Sequence, residues 1–316
     1  MKEANASPVM AGAWAWGAGF AGGDQVFGAA LDAAALKPVV EKALELGIRS
    51  FDTAAIYGNG SSEAILGELL KGTPRESVVI STKFTPQIAA SVEKPVEAMF
   101  EESLKRLGTD YIDLYWIHNS ADVERWTPQV VPLLKEGRIR ALGVSNHTLA
   151  QVKRVIEILG DSGCRLSAVQ NHLSLMHRAS LESGLVDFCR TSGIDFYSYM
   201  VLEQGALTGR FDEAHLMPSG SGRGAFYNSH WGEIAPLMAA IQAAAQKHGA
   251  TPSQIASRWA IEKGTIPILG VTKVRQVEEA AGLAALKLDA EDMAQLDHAA
   301  ASMKLKTLRE WESPED

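Results

Sequence analysis

The chain has 316 residues, 46% of them apolar and 22% charged, which is enough for a large core in one big domain or two small ones. A formal charge of −8 argues against a nucleic acid or an anionic membrane as partner, since either favours a basic face, but leaves room for a small anionic ligand at a local basic patch. The two cysteines, Cys164 and Cys189, lack metal-ligand spacing, and no apolar run reaches membrane-spanning length, so reduced thiols, no metal and a cytoplasmic location are expected.

Short β-rich runs alternate with helical patterns along nearly the whole sequence. In chain order the reading is strand Met10–Trp14, helix Leu31–Leu46, strand Ile48–Asp52, helix Ser61–Leu70, strand Val78–Phe84 and helix Pro95–Leu107. It continues with strands Tyr111–His118 and Ile139–Asn146, helix Leu149–Leu159, and strands Ala168–His172, Phe196–Val201 and Ile266–Val271. The strands are mostly continuous apolar runs, as in a parallel sheet covered by helices on both faces. Eight of them alternating with helices predict an α/β fold of the (β/α)₈ TIM-barrel type, read as a single domain over residues 1–316. A doubly wound open sheet is the main competitor. The segment Leu202–Ile234, after strand seven, shows little helical periodicity and reads as a long loop, with a lid as its expected use. An extra C-terminal helix is expected over Lys287–Ala301, capped by Asp289.

Different polar residues stand where successive apolar runs end. They are Asp52, Lys83, His118, Asn146, Gln170 with Asn171, Tyr199 and Lys273. In a barrel these positions meet at the C-terminal face, where active sites of this fold lie. Each has an ordinary use taken singly: Asp52 as a turn or cap residue, Tyr57 packed over the turn at Gly58 and Gly60, Lys83 reaching solvent, His118 as an interior histidine. Their succession on neighbouring strands is what points to chemistry.

The runs GIRSFDTAAIYGNGSSEAILGELL, STKF, YWIHN, GVSN and IPILGVTKVRQVEEA together resemble the aldo-keto reductase superfamily, over almost the whole chain from GAWAWG onward. The resemblance implies a catalytic tetrad of Asp52, Tyr57, Lys83 and His118. That tetrad suits carbonyl reduction, which needs a hydride at carbon and a proton at oxygen. A tyrosine is a poor acid near neutrality, and a neighbouring ammonium is expected to lower its pKa. Lys83 is the ammonium, and Asp52 keeps it charged in a desolvated site. His118 would orient the substrate oxygen or relay a proton.

The resemblance also implies NADP(H) as cofactor. Ser145, Asn146 and Gln170 would hold the carboxamide, and Tyr199 would stack on the nicotinamide; Tyr197, two residues away on the same strand face, is the alternative. The stretch around EQGALTGR, with Leu202, Gly205, Leu207, Gly209 and Arg210, would approach the pyrophosphate. Arg223, in a Gly- and Ser-rich context, suggests a flap, with a plain flexible loop as the other reading. At the last strand and the helix it opens, Gly270, Val271, Thr272, Lys273, Arg275, Gln276 and Glu279 would meet the adenosine and its 2′-phosphate. Gln276 stands where many relatives carry arginine, and Ala280 where many carry asparagine.

The expected partner is a small-molecule carbonyl substrate, aliphatic, aromatic or sugar-derived, bound by a chain that is a monomer by default. Trp14, Trp16 and Asn119 would line its pocket, with barrel packing as the other reading of the tryptophans. Two rival functions are weighed: a regulatory, redox-sensing barrel that binds cofactor without turnover, and a Schiff-base lyase using Lys83. The lyase needs a neutral lysine, which Asp52 opposes.

Overall fold

The computed structural model describes residues 7–309 and residue 312. The apolar runs become eight parallel strands, β1 (Met10–Gly12), β2 (Ser50–Asp52), β3 (Val79–Phe84), β4 (Ile112–Ile117), β5 (Ile139–Ser145), β6 (Ala168–His172), β7 (Asp195–Tyr199) and β8 (Ile266–Gly270). They pair in chain order, and β1 closes on β8 with Ala11 opposite Leu269. That closing ladder makes the sheet a (β/α)₈ barrel and removes the open-sheet alternative.

Most strands stop short of the apolar runs that announced them. Trp14 lies beyond β1, His118 one residue beyond β4, Asn146 one beyond β5 and Val201 beyond β7. The apolar pattern continues there because the first loop residues stay buried or half-buried after ladder pairing ends; Val201 is 1% exposed.

Strand periodicity explains why polar residues collect at one end. Side chains two apart on a strand share a face. The deeper inward positions are apolar: Met10, Val79, Leu114, Trp116, Ala141, Ala168, Tyr197 and Ile268 form one buried cluster that fills the barrel. Trp116 and Tyr197 meet edge to face at 5.4 Å. The Trp116 indole occupies the room beside Gly143, where an added Cβ would stand 2.1 Å from its Cε3. Two or four residues further along the same faces come Ser81 and then Lys83 on β3, His118 after β4, Ser145 on β5, Gln170 and then His172 on β6, and Tyr199 on β7. Tyr197 therefore belongs to the floor and Tyr199 to the mouth.

The covering helices carry the expected end signals. Thr148 and Gln151 form a capping box at helix Leu149–Asp161, as do Thr251 and Gln254 at helix Pro252–Glu262. Asp289 caps the last helix, which runs Ala290–Ala301 and so begins later than the sequence reading had it. The Leu202–Ile234 segment is a correction. It holds a 3₁₀ stretch, Glu203–Thr208, and a short helix, Gly222–Tyr227, capped by Ser221, and the helix Trp231–His248 starts inside it. Helices this short, rich in glycine, do not repeat long enough to show a period. No helix among the described residues is long and apolar enough to cross a membrane.

Candidate active site

Asp52 ends β2 and Lys83 lies beside it in β3, both nearly inaccessible to solvent. Lys83 Nζ pairs with Asp52 Oδ2 at 2.5 Å and donates to the Thr53 carbonyl at 2.8 Å. The other carboxylate oxygen of Asp52 accepts from Ser81 Oγ at 2.6 Å and from Gln170 Nε2 at 3.2 Å. Burial pulls the Lys83 ammonium below its ordinary pKa, and the attraction and hydrogen bond of Asp52 oppose that pull.

Tyr57 opens a tight turn in which Gly58, Asn59 and Gly60 have φ of 58°, 52° and 90°. The left-handed run needs glycine or asparagine, which is the physical content of the YGNG motif. The turn is tied to the first loop by the Gly58 N–H donating to the Phe20 carbonyl at 3.0 Å. Lys83 Nζ lies 5.1 Å from the Tyr57 ring centre, Trp14 stacks on the ring at 5.8 Å, and the His118 ring meets it edge-on at 5.8 Å. The four residues expected to act together are thus gathered at one point of the mouth.

One electrostatic expectation is overturned. Burial and then the Asp52 carboxylate push the Tyr57 phenol well above its ordinary pKa, rather than Lys83 lowering it. Lys83 is already paired with Asp52, so its charge is largely balanced before it reaches the tyrosine. Tyr57 is therefore a neutral donor in the ligand-free protein. Burial and then Lys83 hold His118 well below the ordinary histidine pKa, as a neutral imidazole. Its Nδ1 is 2.8 Å from the Thr85 hydroxyl, a contact that the strand-end pattern did not single out.

Ser145 and Gln170 stand opposite each other in the β5–β6 ladder. Asn146 follows with φ 60°, a left-handed turn that aims its amide across the mouth: Nδ2 donates to the His118 carbonyl at 2.9 Å, and Oδ1 accepts from the Tyr199 hydroxyl at 2.6 Å. The Tyr199 ring stacks on His172 at 5.6 Å.

A second ionic cluster, unforeseen in the sequence, lies beside these residues. His172 places Nε2 2.8 Å from Glu203 and Nδ1 2.9 Å from Glu312. Tyr227 donates to the second Glu203 oxygen at 2.5 Å and accepts from Arg309 at 2.6 Å. Burial opposes a proton on His172, but the two glutamates prevail and raise its pKa to about 9. His177 stacks on it at 4.1 Å with only 6° between planes, and burial followed by the His172 charge pushes His177 down to about 4. His172, His177 and Glu312 have ligand atoms close enough to share a metal. Two parallel stacked rings cannot both hold one ion in their planes, however, as an imidazole lone pair requires, so this arrangement suits a proton.

The segment after β7 is conformationally strained. Met200, Glu203 and Gln204 all have positive φ, near 50°, and Gly205 has φ 106°. Leu202 is half-buried, whereas Leu207 is core, so any ligand contact of Leu207 falls to its backbone. Gly209, at φ 69°, ends the 3₁₀ stretch, and the exposed Arg210 stacks on Phe211. Arg223 fastens the short helix to this segment by donating to the Gln204 carbonyl at 3.1 Å and the Phe27 carbonyl at 3.0 Å.

At the last strand, Gly270 and Lys273 are exposed and Val271 is buried. Arg275 pairs with Glu279 at 2.8 Å. Gln276 turns onto its own loop: its Oε1 accepts from the Thr272 and Lys273 amides at 2.7 and 3.0 Å and from the Thr272 hydroxyl at 3.1 Å. It thereby covers two amides that the sequence reading offered to a phosphate.

Among the pocket residues, Trp16 is a correction. It is fully buried and donates to the Val271 carbonyl at 2.7 Å, so it packs between the loops after β1 and β8 and offers no open surface to a ligand. Trp14 stays half-buried against Tyr57, and Asn119, next in sequence to His118, donates to Gln87 at 2.6 Å.

The profile of the aldo/keto reductase family matches residues 8–301. The chain belongs to the aldo/keto reductase family. Curated relatives include a chloroplastic pyridoxal reductase of Arabidopsis thaliana, 32% identical over 95% of this chain and 85% of the relative. Another is a probable aldo-keto reductase of Glycine max, 31% identical over 82% and 77%. Among solved structures, the glycerol dehydrogenase AKR11B4 of Gluconobacter oxydans matches with a TM-score of 0.79 and 24% identity, over 96% of this chain and 94% of that one, which speaks to the fold. This aldo/keto reductase is thus an oxidoreductase of a family that generally uses a nicotinamide cofactor. Its donor set fits one: amide and hydroxyl groups at adjacent strand ends, an aromatic ring beside them, left-handed backbone at Gly205 and exposed cations at Lys273 and Arg275.

Proposed function

We propose that this aldo/keto reductase reduces an aldehyde or ketone to the alcohol with NADP(H), as one domain over its whole length. The observation that carries the reading is the buried Lys83–Asp52 pair set 5.1 Å from the Tyr57 ring, with His118 edge-on to the same ring.

Ser145, Asn146 and Gln170 would hold the carboxamide, Tyr199 the nicotinamide face, and Lys273 with Arg275 the 2′-phosphate. The cofactor, when bound, supplies the hydride for the carbonyl carbon. Tyr57 gives its hydroxyl proton to the carbonyl oxygen. Lys83 stabilises the phenolate left behind, and Asp52 holds Lys83 in place and charged. His118 donates a hydrogen bond that orients the same oxygen. The Asp52 pairing also keeps Lys83 from acting as a neutral amine, which weighs against Schiff-base chemistry.

Trp14, stacked on Tyr57, offers a flat apolar wall to an aromatic carbonyl compound or a sugar face. The names of the relatives put pyridoxal-like aromatic aldehydes and polyol-derived ketones first among substrates to try.

The test follows NADPH absorbance, with NADH in parallel, across aromatic and aliphatic aldehydes, ketones, dicarbonyls and keto-sugars. Turnover is expected with at least one class, and Tyr57→Phe is expected to lose roughly 10²- to 10⁴-fold of it, the usual worth of a positioned acid, while NADPH binding persists. Turnover in Tyr57→Phe at the wild-type rate would overturn the assignment.

A further inference from the structure

We propose that Thr85 is a positioning residue that fixes the ring angle and tautomer of His118, so that an Nε2–H faces the substrate oxygen. The inference rests on the reading of His118 as the group that meets the substrate.

Thr85 is the first residue after β3, and His118 the first after β4. The last rung between those strands joins Phe84 to Ile117, so Thr85 and His118 are the next pair along. Thr85 lies two residues beyond Lys83, on the same inward face. It is 2% exposed. Its hydroxyl stands 2.8 Å from His118 Nδ1 and, among the described residues, has no other hydrogen-bond partner.

The backbone of His118 is already held at both ends. Its N–H donates to the Phe84 carbonyl at 2.8 Å, and its carbonyl accepts from Asn146 Nδ2 at 2.9 Å. What remains free is rotation of the ring and the choice of which nitrogen carries the proton. The Thr85 hydroxyl settles both. A buried hydroxyl proton left unpaired forfeits its solvation with nothing in return, and the Nδ1 lone pair is the acceptor within its reach. If Thr85 donates, Nδ1 accepts and the ring proton sits on Nε2. The reverse arrangement would leave the Thr85 proton without an acceptor and turn a lone pair toward the carbonyl oxygen, which repels it. The β-branch of threonine adds rigidity, because it restricts χ1.

Two readouts separate this role from simple packing. In ¹⁵N-labelled ligand-free protein, the His118 ring nitrogens are expected to report the Nε2–H form. In Thr85→Val, which keeps the shape and removes the hydroxyl, they should report a mixture of tautomers. With a substrate found active on wild type, Thr85→Val is expected to lose roughly 10- to 100-fold in kcat, the scale of a misplaced catalytic group, with NADPH binding unchanged. Thr85→Ser should restore the tautomer and most of the rate. An Nδ1–H tautomer in wild type, or an unaltered tautomer in folded Thr85→Val, would overturn the inference. Turnover that depends on Tyr57 but not on Thr85 overturns it while leaving the reductase reading intact. Turnover independent of Tyr57 overturns the reductase reading, and with it the substrate role assigned here.

Discussion

The Tyr199 hydroxyl stands 2.8 Å from Oε1 of Glu312, 113 positions further along the chain. Glu312 is thereby anchored beside Asn146, whose Oδ1 shares the same hydroxyl at 2.6 Å. Replacing Glu312 by Gln keeps the shape and removes the charge from both the tyrosine and His172. Amide hydrogen exchange over residues 303–309 should then accelerate, by an amount corresponding to about 1–3 kcal/mol for a charged hydrogen bond. Unchanged exchange would mean that the carboxylate contributes nothing to anchoring the segment.

The cluster around His172 makes stability depend on alkaline pH. The groups facing it are Glu203, Glu312, His177 and Tyr199, with Tyr227 and Arg309 behind Glu203. The folded pKa of about 9 exceeds the ordinary 6.5, so the bound proton stabilises the fold fully below 6.5 and is lost as pH rises through 9. The shift corresponds to a stabilisation on the order of 3 kcal/mol. Urea unfolding of wild type at pH 6 and pH 10, set against His172→Gln, should show that fraction of the pH dependence vanish in the variant. Parallel pH profiles for the two proteins would sink the account.

Lys83 and Asp52 are expected to be coupled in stability and uncoupled in activity. Lys83→Met leaves the Asp52 carboxylate buried without its cation, which costs about 3–5 kcal/mol. Adding Asp52→Asn should recover much of that loss, because no buried charge remains. Turnover should stay absent in both, since neither supplies an ammonium to Tyr57. Chemical denaturation of the single and double variants is the measurement; simple additivity would contradict the pairing.

Gln276 sets a limit on phosphate recognition. Its side chain covers the Thr272 and Lys273 amides, at 2.7 and 3.0 Å, beside the two cations proposed for the 2′-phosphate. Gln276→Arg would uncover those amides and add a charge. NADPH is expected to bind roughly tenfold more tightly, equivalent to about 1.4 kcal/mol, with little change for NADH. Equal gains for both cofactors would place the 2′-phosphate elsewhere.

The barrel is legible because eight continuous apolar runs alternate with helical patterns, and the runs from the second onward are followed by polar side chains. Asp52, Lys83, His118, Asn146 and Gln170 follow directly from that rule, whereas Ser145 rests on the family resemblance. Thr85 escaped it because a threonine just past a strand looks like any turn residue; only its register beside His118 distinguishes it. Glu312 escaped it because nothing local marks a glutamate that closes a contact across the fold. Trp16 was misplaced for a related reason: sequence puts Trp14 and Trp16 together, whereas the loop turns one toward Tyr57 and the other toward Val271. Gln276 is legible in hindsight as the N3 partner of a helix start, a pattern that competes with ligand binding for the same amides.

The floor of the barrel has an evolutionary consequence. Trp116 lies in the void beside Gly143, so the lower tier is a jammed plug whose pieces specify one another. The tier above it, buried as it is, touches that plug from one side only and is held on the other by polar contacts such as Lys83–Asp52. Descendants of such a chain can therefore exchange residues at the rim, in matched pairs where charges are joined, without renegotiating the packing below. New specificities are inherited on an old foundation, and Gly143 is among the few positions where that freedom ends.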